Sequence, residues 1–333
     1  MPQVTVLLPV HNGEEYLEQA IASVLAQSFR DFEVLIINDG STDRTQSIID
    51  AFNDGRIRCI RHKTNRRLIA VLNEGLDLAT APYVARMDAD DICHPRRLEL
   101  QHRFLEDHPD VGVVGSAVRS ISDGTGRGPI YRFPEQHEVI EWALAFLCPL
   151  VHPSVMMRRD LVLSVGGYAP SALHVEDYDL WERMSRYTRF ANLPDVLLGL
   201  RKHGSSITSR EAMLHVKNVA VVAARCLSAR LGRAVSTDAA ARLIRIAPCG
   251  PGRAEEAAQM LLELYEAYAH TAPQARTIIR RDTGIRLLML SMRGGLSPRI
   301  LWRATRLAPG AWIGLIGRAM VKLTGRGVLR AVG

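Results

Sequence analysis

The sequence is poor in the features that mark disulfide-rich, zinc-cluster and membrane-spanning proteins. Its five cysteines are odd in number, and no two of them form a CxxC pair. The odd count and the lack of such a pair favour a reducing compartment and argue against a disulfide framework or a zinc cluster. No apolar run reaches the roughly 18 residues that a membrane-spanning helix needs. Residues 1–15 contain no basic leader, so we expect them to begin the first strand rather than to form a signal peptide.

A glycine- and lysine-rich phosphate loop is also missing near the N-terminus. A nucleotidyltransferase built on a similar sheet would need such a loop, but the segment LLPVHNGEE contains one glycine and no lysine. The apolar fraction of 47% and the charged fraction of 23% are ordinary, which excludes a mainly disordered chain. A length of 333 residues is enough for one large domain and a smaller one.

The first two-thirds of the chain has the pattern of alternating strands and helices. Apolar runs at residues 4–9, 32–37, 57–61, 83–87 and 111–118 predict strands, and apolar residues at helical spacing lie between them. This order predicts a parallel α/β sheet, whose ligands bind beyond the carboxyl ends of the strands. From about residue 210 the pattern is helical throughout. We therefore expect one domain over residues 1–210 and a second over residues 211–333.

Three carboxylates follow directly on one predicted strand, in the segment Asp88-Ala89-Asp90-Asp91. Carboxylates this close repel one another unless a positive charge lies between them. A hard divalent cation such as Mg²⁺ or Mn²⁺ suits such oxygen ligands and can bridge a diphosphate. An exposed acidic turn that caps the next helix is the alternative, and the position after a buried strand favours the metal.

Two further carboxylate sites follow predicted elements. Asp39 ends the second strand, where its carboxylate suits a base or a ribose, although Asn-Asp-Gly-Ser is also a strong turn sequence. Glu176 and Asp177 precede an amphipathic helix. The dipole at a helix start favours an ionised carboxylate, which suits a base toward an alcohol, although helix capping is the simpler role.

An ordered series of motifs resembles the family 2 glycosyltransferases. The series runs LLPVHNGEEYLEQAIASVLAQSF, FEVLIINDGSTD, AVLNEGL, YVARMDADDICHPRRLELQHRFLEDHP, VGVVGS, HPSVMMRR, GGY before VEDYDLWERM, and LRKHGSSIT, over roughly residues 3–208. The resemblance implies an inverting enzyme of the GT-A type, with a Rossmann-like mixed sheet flanked by helices and a C-terminal helical region. It also implies a nucleotide-diphosphate sugar donor, with UDP as the commonest nucleotide and dTDP or GDP as alternatives, and Mn²⁺ or Mg²⁺ as the cofactor.

The same resemblance implies roles for residues of the nucleotide site. Pro9, His11 and Asp39 would form the nucleotide cradle, with Asp39 meeting the base. Where the family often has a glycine, two residues after Asn65, this chain has Arg67. Arg67 is either a solvated side chain at a helix start or a guanidinium that contacts the base or the diphosphate.

The resemblance also assigns the metal and catalytic residues. Asp90 would be the direct metal ligand, and Asp88 would contact the ribose or the metal. His203 would reach the metal or the diphosphate. Asp177, with Glu176 beside it, would remove the proton from the acceptor hydroxyl, on the face opposite the leaving diphosphate. The two carboxylate sites are far apart in the chain, so this mechanism requires the fold to bring them together.

The positive charge lies mainly in the C-terminal region. From Arg276 to Gly333 the chain has 12 Lys and Arg and one acidic residue, so this region carries a net charge of +11. Because the whole chain carries +7, the remaining residues carry −4. An apolar stripe around Ile300 and Ala304 is flanked by Arg299, Arg303 and Arg306 and by tryptophans. This pattern suits either an anionic membrane surface or a packed helix with a solvated basic face.

Together these features predict a transferase in cell-surface polysaccharide synthesis, acting on a glycan or lipid-linked acceptor. We expect it to be cytoplasmic and peripheral on the inner face of the cell membrane, with no nucleic-acid partner. Two alternatives are a non-catalytic nucleotide-sugar-binding scaffold and a nucleotidyltransferase. The four aspartates at residues 39, 88, 90 and 177 argue against the scaffold, because a dead site need not keep all of them.

Overall fold

The computed structural model of the protein describes residues 1–121, 128–201, 212–244, 247, 249–268 and 270–310. The chain forms two compact units. The first comprises Met1–His137 and Cys148–His215, and the second comprises Glu138–Leu147 and Val216–Gly333. The short segment Glu138–Leu147 therefore belongs to the second unit, although the sequence pattern changes only near residue 210.

The strands of the described residues form one sheet in the first unit. They are β1 Val4–Val10, β2 Phe32–Asn38, β3 Ile57–Arg61, β4 Tyr83–Arg86, β5 Ile92–Cys93, β6 Val111–Ile121, β7 Ile130–Tyr131, β8 Met156–Arg158 and β9 Arg189–Arg201. The order is β3-β2-β1-β4-β8-β6-β9-β5, with β7 on β6. The first four strands are parallel, whereas β8 is antiparallel to both β4 and β6. The mixed sheet of the predicted fold class is confirmed.

The helices flank this sheet and build the second unit. They are α1 Leu17–Leu25, α2 Thr45–Ala51, α3 Leu68–Leu78, α4 Arg97–Asp107, α5 His137–Leu144, α6 Arg159–Ser164, α7 Glu176–Met184, α8 Ala212–Leu231, α9 Thr237–Leu243, α10 Pro251–Ala267, α11 Pro273–Arg293 and α12 Pro298–Leu307. A short 3₁₀ turn, His152–Ser154, precedes β8. Of the described helices, none has both the length and the hydrophobicity to cross a bilayer.

The centre of the sheet is apolar on both faces. Every residue of β1 is buried, as are all four residues of β4. Burial of apolar surface on this scale stabilises the fold by roughly 25 cal/mol per Å². The last residue of β1, Val10, pairs with Asn38, and Leu7 pairs with Arg86. The parallel register therefore brings the polar segments after β1, β2 and β4 to the same edge of the sheet.

Ser41 and Thr42 are residue types that often cap a helix, but α2 begins later, at Thr45. The side chain of Asp43 holds this first residue. The Asp43 Oδ1 atom accepts hydrogen bonds from the backbone N and the Oγ1 of Thr45, at 3.0 and 2.5 Å. Ser41 is used elsewhere, because its hydroxyl accepts a hydrogen bond from the backbone N of Asn12.

The second unit has its own apolar core, which includes the C-terminal stripe. Ile300 and Ala304 of α12 are buried in that core together with Leu261 and Leu287. The apolar stripe is therefore internal to the unit and does not offer a surface to lipid. Trp302 lies on the outer side of α12 and is 60% exposed.

Candidate functional site

The loop after β1 is joined to the loop after β2 by hydrogen bonds. His11, which follows the buried Pro9 and Val10, places its Nδ1 atom 2.8 Å from the backbone oxygen of Asp39. Asn12 has a φ of 53°, which asparagine tolerates, and its Oδ1 accepts a hydrogen bond from the backbone N of Thr42. The structure thus brings His11 and Asp39 together, and Pro9 pairs with Ile37 just before them.

The Asp39 carboxylate is only 3% exposed and is used to order a neighbouring segment. Its Oδ1 accepts a hydrogen bond from the backbone N of Arg66 and lies 3.0 Å from His62 Nδ1. Its Oδ2 accepts from the backbone N of Arg67 at 2.9 Å. The other ring nitrogen of His62 lies 2.9 Å from a carboxylate oxygen of Glu74. Asp39 therefore organises residues 62–67, which we call the basic loop.

Gly40 explains how closely the basic loop approaches Asp39. Its φ is +69°, and a Cβ added there would lie 2.5 Å from the backbone carbon of Thr64 and 2.7 Å from the nitrogen of Asn65. Any other side chain would push the basic loop away. The glycine after Asp39 is required both by its backbone conformation and by the space available.

Arg67 is the strained residue of the basic loop. Its φ of 71° and ψ of 156° lie in a region that glycine occupies almost alone. This is the position where the sequence departs from the family pattern, and the backbone conformation gives the physical reason for a glycine there. The Arg67 side chain is exposed. Both roles given for this guanidinium, solvated or ligand-binding, stay predictions.

The acidic segment after β4 forms a compact carboxylate cluster. One oxygen each of Asp88, Asp90 and Asp91 lies within 4.8 Å of the others. Burial and the charges of Asp88 and Asp90 raise the pKa of Asp91 well above its usual 3.8. The buried Oδ2 of Asp91 has no hydrogen-bond partner among the described residues. An unsatisfied buried oxygen in a group of three carboxylates suits a hard divalent cation.

Glu176 and Asp177 open α7 in the first unit. The Asp177 Oδ1 accepts a hydrogen bond from the backbone N of Tyr178 at 2.7 Å, and the Cys148 thiol donates to its Oδ2 at 3.5 Å. Burial raises the pKa of Asp177, which these hydrogen bonds oppose. Burial and the charge of Asp177 raise the pKa of Glu176 to about 7. Such a carboxylate can exchange a proton near neutral pH.

Comparisons with known proteins agree on one family. A sequence profile described as "Glycosyl transferase family 2" matches residues 5–164. EpsE of Bacillus subtilis, which is named as a glycosyltransferase, is 34% identical over 238 residues, covering 69% of this chain and 84% of EpsE. The chain belongs to the family 2 glycosyltransferases. The amylovoran biosynthesis glycosyltransferase AmsE of Erwinia amylovora is 34% identical, covering 64% of this chain and 82% of AmsE.

Two solved structures have the same fold. TarS of S. aureus, in complex with UDP-GlcNAc, superposes with a TM-score of 0.58 at 18% identity, covering 94% of this chain and 92% of TarS residues 1–349. A mannosyltransferase from Pyrobaculum calidifontis, in complex with GDP-Man and Mn²⁺, superposes with a TM-score of 0.52. At such low identity these two superpositions show only the GT-A fold of this family 2 member.

Two arginines beside the acidic cluster were not singled out from the sequence. Arg201 at the end of β9 donates from its backbone N to Asp91 Oδ1 and from its Nε to the backbone oxygen of Asp90. Arg86 at the end of β4 places Nη1 2.5 Å from Asp88 Oδ2. A charged residue inside an otherwise apolar strand was the available signal for Arg86, because buried charges are normally paired.

A buried polar group lies close to Arg86. His152 Nε2 is 2.8 Å from the hydroxyl of Tyr168, whose backbone is tied to Asn73 by two hydrogen bonds. Burial, and then the charge of Arg86, lower the pKa of His152 well below its usual 6.5. His152 is therefore neutral at physiological pH. The motifs HPS and GGY of the family resemblance meet in this network.

The structure also relates the two predicted carboxylate sites. The charges of Arg86 and Asp88 act on Glu176, and the charge of Arg86 acts on Asp177. Asp88 and the start of α7 therefore share one electrostatic environment, although 88 positions separate them in the chain. His203, the remaining predicted residue, lies outside the described residues.

Proposed function

We propose that the protein transfers a sugar from a nucleotide-diphosphate sugar, with UDP as the nucleotide, to a hydroxyl group of a glycan or lipid-linked acceptor. The observation that carries this proposal is the carboxylate cluster of Asp88, Asp90 and Asp91. The charges of Asp88 and of its partner Arg86 act on Glu176, which opens α7. One carboxylate set suits the donor diphosphate and the other suits an acceptor hydroxyl. The names of AmsE and of the O-antigen biosynthesis glycosyltransferase WbnJ support a role in cell-surface polysaccharide synthesis.

On the donor side, we propose that Asp90 and Asp88 hold Mn²⁺ or Mg²⁺, with Asp91 as a further oxygen donor. A bound divalent ion would neutralise charge that develops on the leaving diphosphate. We propose that Arg201 holds the segment of Asp90 and Asp91 in place through its hydrogen bonds to both residues. We also propose that His203 reaches the metal or the diphosphate.

For the nucleotide, we propose that Asp39 acts mainly by ordering the basic loop. Its carboxylate oxygens already accept hydrogen bonds from that loop, and only 3% of the residue is exposed. The loop and His11 then form the surface that meets the base, with Arg67 exposed beside them. Substitution of Asp39 is therefore expected to weaken nucleotide binding through loss of loop order.

On the acceptor side, we propose that Asp177 removes the hydroxyl proton and that Glu176 shares the charge. A carboxyl with a raised pKa is a stronger base than a solvated one, so it takes the proton more readily. The attack on the side opposite the leaving diphosphate inverts the configuration of the sugar carbon. The base receives the hydroxyl proton, the new glycosidic bond forms and the bond to the diphosphate breaks.

The test of the donor site is calorimetric titration with UDP, GDP and dTDP, with and without Mn²⁺. We expect UDP to bind only with the metal, and Asp90→Ala to abolish binding. Asp160→Ala is the matched control, because Asp160 is an exposed carboxylate of the same unit on α6. Absence of nucleotide binding by the wild-type protein would reject the proposal. Binding without UDP release from UDP-sugars would instead indicate a scaffold.

We further propose that the C-terminal region docks on an anionic membrane at the cytoplasmic face. Arg299, Arg303 and Arg306 are exposed on α12 together with Trp302, at spacings that place them on one side of the helix. Basic residues beside an exposed tryptophan suit anionic headgroups and the bilayer interface. Arg306 also lies over the Trp302 ring, with its guanidinium carbon 4.8 Å from the ring centroid.

Vesicle sedimentation tests this docking surface. The full-length protein is expected to bind vesicles that contain about 30% anionic lipid, and not to bind neutral vesicles. Neutralising the three arginines of α12 to glutamine should reduce binding at least about tenfold, at roughly 1 kcal/mol per charge. Arg30→Gln with Arg103→Gln, two exposed changes in the first unit, is the control. Equal binding to neutral vesicles would contradict the proposal.

A further inference from the structure

Arg86 is a buried cation that pairs with one carboxylate of the acidic cluster. It is the last residue of β4, and only 3% of it is exposed. Its backbone is held on both sides, since its N donates to the oxygen of Val155 at 3.0 Å and its oxygen accepts from Arg97 Nη2 at 2.8 Å. The strand therefore fixes the origin of the Arg86 side chain inside the first unit.

The guanidinium reaches the donor-side cluster through Asp88. Nη1 lies 2.5 Å from Asp88 Oδ2, and the side chain of Asp88 is 35% exposed while that of Arg86 is 4% exposed. The arginine thus forms the inner half of the pair and the carboxylate the outer half. The Nε atom of Arg86 is buried and has no hydrogen-bond partner among the described residues. Hydrogen bonding within the fold alone does not account for a guanidinium at this position.

A series of contacts links the strand that carries Arg86 to α7. Strand β4 pairs with β8, where Ala85 is opposite Met156, and the turn before β8 carries His152. The His152 ring contacts the Trp181 ring edge to face, with centroids 6.2 Å apart. Trp181 lies four residues after Asp177 on α7, so both are on the same side of that helix. The charge of Arg86 accordingly lowers the pKa of Glu176 and Asp177 against the effect of burial.

We propose that Arg86 is a positioning residue for both halves of the transfer site: it fixes Asp88 on the donor side and counters the charge of Glu176 and Asp177 on the acceptor side. This inference rests on the proposed function for the meaning of the two sides. The physical reason is that removing one partner of a buried charge pair leaves the other charge uncompensated. Loss of Arg86 would leave two separate carboxylate groups without their common counter-charge.

Double-mutant cycles test whether one arginine serves both groups. Urea unfolding at a single pH is measured for Arg86→Met, Asp88→Asn, Asp177→Asn and the two double variants that contain Arg86→Met. We expect each cycle to be non-additive by at least about tenfold in the folding equilibrium constant, about 1.4 kcal/mol. Additive effects in both cycles, or coupling to Asp88 alone, would overturn the inference. If Arg86→Met does not fold alone, its recovery by Asp88→Asn is the expected sign of coupling.

Binding of UDP with Mn²⁺ supplies the second readout. Arg86→Met is expected to weaken binding at least tenfold, and Arg86→Lys, which keeps the charge, to recover most of that loss. Arg183→Met is the matched control, because Arg183 forms a 2.9 Å ion pair with the buried Asp179 on α7. We expect it to lower stability and leave UDP binding within about threefold. Equal losses for the methionine and lysine variants of Arg86 would count against a charge-based role.

The two experiments separate the inference from the proposed function. If the wild-type protein does not bind UDP with Mn²⁺, the proposed function fails, while the unfolding cycles still measure the coupling of Arg86 to both carboxylate groups. If the wild-type protein binds and the cycles are additive, the role of Arg86 fails and the proposed function stands.

Discussion

Substitution of Arg67 by glycine and by alanine separates backbone strain from side-chain function. Both changes remove the guanidinium, but only glycine is suited to a φ of 71° with a ψ of 156°. The strained conformation is held by two hydrogen bonds from the Arg67 backbone N, to Asp39 Oδ2 at 2.9 Å and to Asn65 Oδ1 at 2.8 Å. Neither bond involves the side chain of Arg67, so both bonds are kept in either variant.

The magnitude follows from the backbone conformation. A non-glycine residue in this region costs of order 1–3 kcal/mol. Glycine is entropically worse than alanine by roughly 0.5–1 kcal/mol at an ordinary position, and that term reduces the difference. We therefore expect Arg67→Gly to be more stable than Arg67→Ala by roughly 1 kcal/mol, which is the mid-range strain less the mid-range entropy. For a domain of this size the melting temperatures should differ by about 2–4 °C per kcal/mol.

Thermal and urea unfolding of the two variants provide the measurement, with Arg44 as the matched control. Arg44 is exposed and has an ordinary φ of −76° before α2. There the alanine variant should be at least as stable as the glycine variant. If Arg67→Ala equals or exceeds Arg67→Gly in stability, the strain argument is refuted. Titration with UDP and Mn²⁺ then decides the role of the side chain, since a ligand-binding guanidinium requires equal weakening in both variants.

Three further predictions concern neighbouring features. Gly40→Ala should destabilise the protein by about 1–3 kcal/mol in urea unfolding through overpacking, whereas Gly55→Ala, where nothing lies within 4 Å of the added atom, should have little effect. Asp43→Ala should lower the free energy of unfolding by about 1 kcal/mol, because the start of α2 loses its hydrogen-bond acceptor. Thr42→Ala should lower it less, because Thr42 does not cap this helix. Burial raises the pKa of Glu176 from 4.5 to about 7, so the folded state holds this proton more tightly than the unfolded chain. Stability should fall as pH rises across that interval, and unfolding of Glu176→Gln measured at several pH values should show a weaker decline.

Much of the first unit could be predicted from local patterns. Strands β1, β2 and β4 are continuous apolar runs because both of their faces are buried, and the sheet edge where they end follows from their parallel pairing. The acidic segment from Asp88 to Asp91 and the carboxylate of Asp39 were found because each comes directly after such a strand. The family resemblance then supplied roles that spacing alone left open.

Other features depend on contacts between distant residues and have no local signal. Two hydrogen bonds of Asp43 decide the start of α2, although Ser41 and Thr42 are equally good capping residues in the sequence. The apolar stripe of Ile300 and Ala304 suits lipid or a protein core equally well, because both are apolar surroundings. Only the packing of the second unit shows that the stripe is internal.

The candidate site shows the same division. Position directly after a buried strand singled out Asp39, Asp88 and Asp90, and position at the start of an amphipathic helix singled out the pair that opens α7. Their roles stay predictions. Their relation to one another was decided by tertiary structure, in which β4 and β8 pair and bring the start of α7 toward Arg86. The sequence contains many arginines, among which Arg86 differs only in lying within an apolar run. Its burial beside Asp88 is visible only in the structure. Electrostatic interaction depends on distance and on exclusion of water, and neither quantity is encoded at a single position in the chain.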